Sequence, residues 1–255
     1  MLRLKIHIAY TGSYFSGWQV QPGQRTIQGS IEQVFHQICQ KEVRVHASGR
    51  TDAGVHALDQ VAHVNIPDRK ENIPWLKALN SLLPQDVAVT GLESVSQDFH
   101  ARFSALGKEY IYILWTNPDY VLPQVRPFVW PVGRLNLQAM DEARQFFCGQ
   151  HDFSAFRNVG TCSQDCVRKI FYIKREQGFN SNETIWRFYA NGFLKQMVRN
   201  IMGCLVEVGR GKLAVQEIKA LMQTRDRTLL PATAPAKGLC LNRVDYSRYV
   251  KNVDR

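Results

Sequence analysis

The segment best suited to chemistry is a nine-residue stretch over 49–57 that reads Gly-Arg-Thr-Asp-Ala-Gly-Val-His-Ala. In it Asp52 stands two residues after Arg50, and glycines flank the pair at positions 49 and 54. Glycine lets other backbone approach closely, and an arginine can keep a neighbouring carboxylate ionised and fix its rotamer. An ionised, oriented aspartate is suited to nucleophilic catalysis. An ordinary turn with a surface ion pair has the same pattern, so both interpretations stay open.

Histidines and cysteines offer a different kind of nucleophilic site. His56 belongs to the same segment, and His46 and His63 lie on the strands expected on either side of it. However, the chain has no Gly-x-Ser-x-Gly turn for a serine nucleophile, and none of its cysteines stands in a catalytic signature. We therefore interpret these histidines as packing residues of the strands and the loop.

A zinc site is a further alternative. Cys148, His151, Cys162 and Cys166 are ligands of the types that structural zinc prefers. Three residues separate the last two cysteines, which is not the common spacing of a zinc knuckle, and we predict no metal site. The chain also lacks the two Gly-rich patterns that bind nucleotide phosphates, so we predict no nucleotide cofactor.

The elements around the Asp52 segment are predicted from the periodicity of apolar residues. Strands are expected over 2–10, 43–47 and 60–66, and an amphipathic helix over 26–40. The Asp52 segment falls between the second and third of these strands, so it is predicted to be a loop.

A second series of elements begins near Lys108. A strand starts there and carries Tyr110, which we single out because RNA-binding proteins stack aromatic rings on unpaired bases. A long helix is expected over 192–208, with smaller elements before and after it. Both series run strand, loop, helix, paired strands and further helix. This order predicts a duplicated α+β architecture in which two similar halves share one sheet, with a boundary near 100–107.

The composition narrows the classes of protein. The 255 residues are 45% hydrophobic and 21% charged, which is typical of a globular chain and excludes a largely disordered one. No apolar run has the length that spans a bilayer, and the alternating first residues lack the continuous apolar core of a signal peptide, so we expect neither a membrane span nor a signal peptide. Six cysteines are too few for a disulfide scaffold, so we expect a cytoplasmic protein. The net charge of +10 favours a polyanionic partner, nucleic acid first.

Blocks of sequence from about residue 4 to residue 246 resemble the tRNA pseudouridine synthase A (TruA) family. The segment around Asp52 is the most specific of them. The other blocks follow in the order in which the family has them: 15–19, 99–105, 108–112, 151–157, 193–199 and 233–241.

The resemblance implies a duplicated pseudouridine-synthase-like α+β fold, two similar halves sharing a mostly antiparallel sheet flanked by helices. It implies an N-terminal catalytic half over 1–104 and a C-terminal half over 105–255 that completes the active-site cleft. The implied reaction is the isomerisation of uridine to pseudouridine in tRNA, at nucleotides 38, 39 and 40 of the anticodon stem-loop, without a cofactor.

The same resemblance implies roles for individual residues. Asp52 matches the catalytic aspartate, and Arg50 the arginine that pairs with it. Tyr110 matches the tyrosine that stacks on the uracil, and Leu239 the apolar residue that lines the pocket, with Leu241 as the alternative. Whether Asp52 attacks C6 of the uracil or C1′ of the ribose, or removes a ribose proton, stays open.

The implied partners are tRNA and a second copy of the chain, because family members are homodimers. Five basic residues are expected to bind the tRNA backbone, so that neutralising them flattens the salt dependence of binding: Arg25, Arg102, Arg157, Lys195 and Arg199. The chain departs from the family at Lys195-Gln196, where an aromatic-Asn pair is more common, and at Cys240, where an aromatic residue is common. We expect these departures to affect packing or tRNA contacts. Two other classes stay open: a non-catalytic tRNA-binding or chaperone protein on this scaffold, and a metal-dependent hydrolase that uses the cysteines and histidine named above.

Overall fold

The computed structural model describes residues 1–67, 73–158 and 165–246 of the chain. They form two compact units, which we call unit 1 and unit 2. Unit 1 consists of Met1–Lys108 with the described residues from Leu241 onward, and unit 2 lies within Glu109–Cys240. The chain therefore enters unit 2 four residues after the predicted boundary at 104/105, and its last described residues belong to unit 1. The functional division into 1–104 and 105–255 stays a prediction.

The elements are numbered in chain order. The strands of the described residues are β1 (Leu2–Tyr10), β2 (Val45–Ala47), β3 (His56–Ile66), β4 (Val87–Val95), β5 (Gly107–Trp115), β6 (Trp130–Pro131), β7 (Gly149–Asp152), β8 (Val167–Gln177), β9 (Glu183–Ala190) and β10 (Leu239–Asp245). The α-helices are α1 (Ile27–Cys39), α2 (Trp75–Leu82), α3 (Leu137–Ala143), α4 (Met197–Gly209) and α5 (Glu217–Thr224). The chain passes between the two units inside β5 and inside β10.

Unit 1 is built on a sheet with the strand order β4, β1, β3 and the unit 1 part of β10, and β2 pairs with β3. Strand β1 pairs antiparallel with both of its neighbours. Its apolar residues alternate with polar ones, and Leu4, Ile6 and Ile8 are at most 1% exposed. Because successive side chains of a strand point to opposite faces, this alternation gives the sheet one buried face.

Helix α1 has the amphipathic pattern that the sequence predicts. Its start is capped by Thr26, whose hydroxyl oxygen accepts the N–H of Gly29 at 3.3 Å. Ile27, Ile31 and Phe35 form its fully buried stripe. The helix ends at Gln40, which takes a left-handed conformation with φ of 55°.

Unit 2 is built on a sheet with the strand order β5, β9, β8, β7, and β6 pairs parallel with β5. Helix α4 is buried over most of its circumference, as its row of apolar residues requires. Two glycines allow close packing around it: a Cβ on Gly203 would lie 2.3 Å from the carbonyl oxygen of Ala232, and one on Gly209 would lie 2.7 Å from the Met140 sulfur.

Most predicted elements are confirmed within one to four residues at each end. The helix predicted over 192–208 begins later, at Met197, because Gln196 has a positive φ of 63° and cannot continue a helix backwards. The third predicted strand starts earlier, at His56 rather than at 60.

The coarse α+β class is confirmed, since helices and a sheet make up each unit. The duplication of the halves stays a prediction. No helix in the described ranges has both the length and the apolar character needed to cross a bilayer.

Candidate active site

The Asp52 loop, residues 48–55, connects β2 to β3 in unit 1. Asp52 is half-buried, between buried Thr51 and exposed Ala53. The carbonyl oxygen of Asp52 accepts the N–H of Val55 at 3.2 Å, and the carbonyl oxygen of Thr51 accepts the N–H of Trp18 at 3.1 Å. The loop is therefore held both by its own turn and by the segment that follows β1.

Glycines make this close packing possible. Gly17 has φ of 88°, and a Cβ on it would lie 2.8 Å from the Thr51 carbonyl oxygen and 3.1 Å from the Ala53 nitrogen. A Cβ on Gly12 would lie 2.0 Å from the carbonyl oxygen of Val55. No real Cβ fits at such distances, so any side chain at either position would push the Asp52 loop out of place.

Side chains of β1 and β3 fix the loop further. The Tyr10 hydroxyl and the Thr51 hydroxyl form a buried hydrogen bond of 2.8 Å. Nδ1 of His56 accepts the N–H of Gly12 at 3.1 Å. Because His56 is only 4% exposed and its Nδ1 is an acceptor, this histidine packs and positions the loop. The predicted packing role agrees with the burial of His56 and His63, whereas His46 is exposed.

The beginning of the loop is fastened by residues that sequence reasoning missed. The Ser48 hydroxyl donates to Oε1 of Gln60 at 2.7 Å, and Nε2 of Gln60 donates to the Gly49 carbonyl at 3.0 Å. Nζ of Lys108 donates to the Ser48 carbonyl at 2.5 Å. Gln60 stands fully buried in a strand, and a buried polar side chain at a core position is the signal that would have identified it.

Arg50 lies on the exposed part of the loop. The pairing of Arg50 with Asp52 that their spacing suggests stays a prediction.

The other two predicted site residues belong to unit 2. Tyr110 on β5 is 9% exposed, and its ring meets that of Phe193 edge-on, with centroids 5.3 Å apart and planes at 89°. Leu239 opens β10 and is 6% exposed. Leu241, its alternative, is 1% exposed and lies in unit 1.

The loop before Leu239, residues 230–238, is tied to its own unit by two side chains. The Tyr112 hydroxyl donates to the Pro235 carbonyl at 2.7 Å, and Nε of Arg199 donates to the Ala234 carbonyl at 2.7 Å. Burial raises the pKa of the Tyr112 phenol well above its usual value, against a smaller opposing effect of Arg199, so the hydroxyl remains a donor. Gly238 lies directly against the Tyr112 ring, 2.6 Å from Cε1 for a built Cβ.

The five arginines and lysines predicted to bind tRNA backbone differ in their surroundings. Arg25 forms an ion pair with Asp86, Arg199 donates to the 230–238 loop, and Arg157 donates to the Cys166 sulfur at 3.6 Å. Arg102 and Lys195 are exposed. The first set therefore has bonding partners within the protein, and the second presents its charge to solvent.

The alternative zinc site is only partly covered by the structure, because Cys162 lies outside the described residues. In the described part of the chain, no three His, Cys, Asp or Glu side chains are arranged to hold a metal ion. Cys148 donates to the carbonyl of Arg144 at 3.7 Å.

Comparison with known proteins gives one consistent result. A family model described as tRNA pseudouridine synthase matches residues 6–104 and 143–247. These segments include Asp52, Arg50 and Leu239, whereas Tyr110 falls between them.

Curated relatives are similar along nearly their whole length. The tRNA pseudouridine synthase A of Solidesulfovibrio magneticus is 51% identical over 251 residues, which cover 96% of this chain and 92% of the relative. That of Maridesulfovibrio salexigens is 49% identical over 246 residues, with 96% and 91% covered. That of Geobacillus kaustophilus is 43% identical over 245 residues, with 96% and 94% covered. With a family model matched on both sides of residue 105 and relatives of this similarity, the chain belongs to the tRNA pseudouridine synthase family of isomerases.

Proposed function

We propose that this protein isomerises uridine to pseudouridine in the anticodon stem-loop of tRNA, at nucleotides 38, 39 and 40, with Asp52 as the nucleophile. The observation that carries the proposal is the construction of the Asp52 loop. Asp52 is half-buried, while the backbone on either side is fixed by buried Thr51 and by Gly17. A fixed, partly desolvated carboxylate is what nucleophilic attack requires.

The reaction exchanges one bond to C1′ of the ribose for another. The bond from C1′ to N1 of the uracil breaks, the base turns, and a bond forms from C1′ to C5; C5 loses a proton and N1 gains one. In our proposal the Asp52 carboxylate starts this sequence by attack at C6, by attack at C1′ or by removal of a ribose proton. No net oxidation or hydrolysis occurs, so the site must retain the detached base and keep water away from C1′.

Three further residues are proposed to hold the target nucleotide. A base inside the stem must leave its stack before it can react, which costs a few kcal/mol. Tyr110 stacks on the uracil and Leu239 lines its pocket, and both side chains are nearly buried, as a pocket that excludes water requires. Arg50 is exposed and needs no rearrangement of other groups to reach an RNA phosphate or the vacated stack.

We also propose that the protein acts as a homodimer in the cytoplasm, as the resemblance implies. Arg102, Arg157 and Lys195 are the proposed contacts to tRNA phosphates. Two of them, Arg102 and Lys195, are exposed basic residues, which is the arrangement that allows counterion release on binding.

Tritium release tests the proposal. In tRNA that carries 5-³H-uridine, the tritium leaves when the bond from C1′ to C5 forms. We expect release with the wild type and none above background with Asp52→Asn. Asp98→Asn, which removes an exposed carboxylate of the same unit, is the matched control and should keep full activity.

The outcomes separate the alternatives. Release that survives Asp52→Asn would contradict the role of Asp52. Binding of tRNA without release by the wild type would favour a non-catalytic binding protein. Mapping of the product at sites other than nucleotides 38–40 would contradict the anticodon assignment alone.

A further inference from the structure

The turn over residues 100–104 in unit 1 carries an aromatic side chain in an unusual setting. Phe103 is 77% exposed. A single exposed apolar side chain is common on protein surfaces and by itself indicates nothing. Phe103 differs because its ring is braced from behind by other rings and from the side by a cation.

The brace is a series of three histidine rings. The His100 ring lies 4.3 Å from the Phe103 ring, centre to centre, at 36°. His100 meets His63 at 4.6 Å, and His63 is stacked on His46 at 5.0 Å and 17°. His46 and His63 are direct partners in the pairing of β2 with β3, so the series is anchored in the sheet.

The backbone of the turn is fixed as well. Ala101 is fully buried; its N–H donates to Nδ1 of His63 at 3.2 Å and its carbonyl accepts the Tyr246 hydroxyl at 2.6 Å. The Ser104 N–H closes the turn on the His100 carbonyl at 2.9 Å. The Phe103 ring is therefore presented to solvent on a rigid support, and little conformational entropy is lost when a ligand covers it.

The charge beside the ring is positive. Cζ of Arg102 lies 5.6 Å from the centre of the Phe103 ring, and Arg102 is itself exposed. Burial, together with its basic neighbours, lowers the pKa of His63 to about 4, so the series behind the ring carries no charge on His63 at neutral pH. A flat apolar ring next to an arginine is the combination on which single-stranded RNA bases stack while their phosphates are neutralised.

We propose that Phe103 and Arg102 form a stacking platform for an unpaired base of the substrate tRNA, with Phe103 covering the base and Arg102 contacting an adjacent phosphate. The inference rests on the proposed function, because it takes tRNA as the ligand. It adds a contact in unit 1 that lies outside the Asp52 loop.

The experiment measures binding of an unmodified tRNA transcript in an Asp52→Asn background. We expect Phe103→Ala to weaken binding about 5- to 150-fold, the usual effect of losing one stacked base, with an unchanged slope of log K against log salt. Phe103→Leu keeps the apolar volume without a π face and should weaken binding in the same way. Phe103→Trp should bind at least as well as the parent.

One control and one further variant make the result specific. Phe179→Ala removes a fully exposed phenylalanine of unit 2 and should leave the affinity unchanged. Arg102→Gln should lower the salt slope by about 0.9 or less per lost phosphate contact. Thermal unfolding of each variant shows whether it is folded.

Unchanged affinity of folded Phe103→Ala or Phe103→Leu would overturn the platform. Sedimentation of the RNA-free proteins gives a second check. If the Phe103 variants differ from the parent in the mass of the assembly, the exposed ring serves self-association, and the platform is overturned too. Tritium release by the wild type is scored separately. If the wild type releases tritium but the Phe103 variants bind tRNA as well as their parent, only the platform is contradicted. If the wild type neither binds tRNA nor releases tritium, the proposed function is contradicted, and the platform with it.

Discussion

Arg25 and Asp86 form a two-point ion pair in unit 1, in which each guanidinium NH₂ group lies 2.8 Å from a different carboxylate oxygen. The guanidinium carbon of Arg25 also lies 4.0 Å from the centre of the Phe15 ring, and the Arg25 carbonyl accepts the N–H of Ser16 at 2.8 Å. Arg25 thus holds the two residues before Gly17 in place, and Gly17 in turn packs against the Asp52 loop. Its contacts are those of a positioning residue more than of a phosphate ligand.

Replacing Arg25 should therefore affect turnover more than RNA binding. We expect Arg25→Gln to lower kcat roughly tenfold, because a small displacement of a catalytic group has a large effect on rate, and to leave the salt slope of tRNA binding unchanged. The exchange of both charges, Arg25→Asp with Asp86→Arg, should restore part of kcat. Steady-state kinetics and binding at several salt concentrations check this, and a salt slope lowered by a full phosphate contact would show that Arg25 binds RNA directly.

Lys195 should behave in the opposite way to Arg25 and affect RNA binding more than turnover, since it is exposed just before α4. We expect Lys195→Gln to weaken tRNA binding uniformly across tRNA sequences, with kcat at saturation unchanged. The slope of log K against log salt should fall by about 0.7–0.9, the contribution of one phosphate contact. Lys41→Gln, on an exposed position of unit 1, serves as the control for loss of a surface charge; an equal effect of both changes would show that only net charge matters.

Gly17 is predicted to be indispensable for isomerase activity because the backbone of the Asp52 loop lies directly against it. Both Gly17 and Gly23 have positive φ, at 88° and 68°, but a Cβ on Gly23 would meet no atom within 4 Å. Gly23→Ala should cost about 1 kcal/mol of unfolding free energy from backbone strain alone. Gly17→Ala should cost more, about 2–4 kcal/mol, and should abolish isomerase activity by displacing the Asp52 loop. Denaturant unfolding and tritium release measure the two effects, and equal costs at both positions would contradict the close approach.

His63 makes the stability of unit 1 sensitive to acid. Burial is the largest cause of its lowered pKa, with smaller effects of His100, His46 and Arg3. Because the folded-state pKa of about 4 lies below the unfolded value of 6.5, the unfolded chain takes up the proton first as the pH falls. The contribution of neutral His63 to the free energy of unfolding is fully present above pH 6.5. It is lost as the pH falls from 6.5 to 4, by up to about 3 kcal/mol.

The measurement is the free energy of unfolding at pH 7, 5.5 and 4.5. His63→Gln keeps an acceptor for the N–H of Ala101 and does not titrate, so the variant should lose less stability on acidification than the wild type. Identical pH dependence in both proteins would show that the His63 imidazole is not the group responsible. The pKa of His100 is also lowered, so part of the dependence should survive in the variant.

Tyr112 is expected to affect stability and turnover by holding the 230–238 loop in place. Tyr112→Phe removes the donor to the Pro235 carbonyl, which should cost about 1–2 kcal/mol of unfolding free energy and lower kcat without a matching change in the affinity for tRNA. Tyr14→Phe, at a position 79% exposed, is the control and should have neither effect. A loss of affinity equal to the loss of kcat would indicate that Tyr112 contacts RNA.

The local features of the molecule follow from the sequence. Strand β1 and helix α1 have strong periodicities and no competing pattern, and their predicted bounds agree closely with the structure. The loop around Asp52 is recognisable because glycines and an Arg-x-Asp pair stand between two strand patterns. Such features depend on residues that are neighbours in sequence, which is where patterns are informative.

The features that sequence reasoning missed join residues far apart in the chain. Lys108 bonds to Ser48 at the start of the Asp52 loop from 60 residues away, and Asp86, which engages Arg25, stands 61 residues after it. A basic residue has the same appearance in a sequence whether it faces RNA or a carboxylate of its own chain. For this reason Arg25 and Arg199 could be recognised as basic residues, but their partners could not be predicted.

The two crossings between the units, inside β5 and inside β10, have a consequence for biosynthesis. Unit 2 lies in one uninterrupted stretch of the chain, whereas the sheet of unit 1 includes β10, which the ribosome makes after all of unit 2. Unit 2 therefore has all of its residues before unit 1 can complete its sheet. The first 108 residues emerge from the ribosome without β10, the strand that follows β3 in the sheet, and their final structure waits for that strand to be translated.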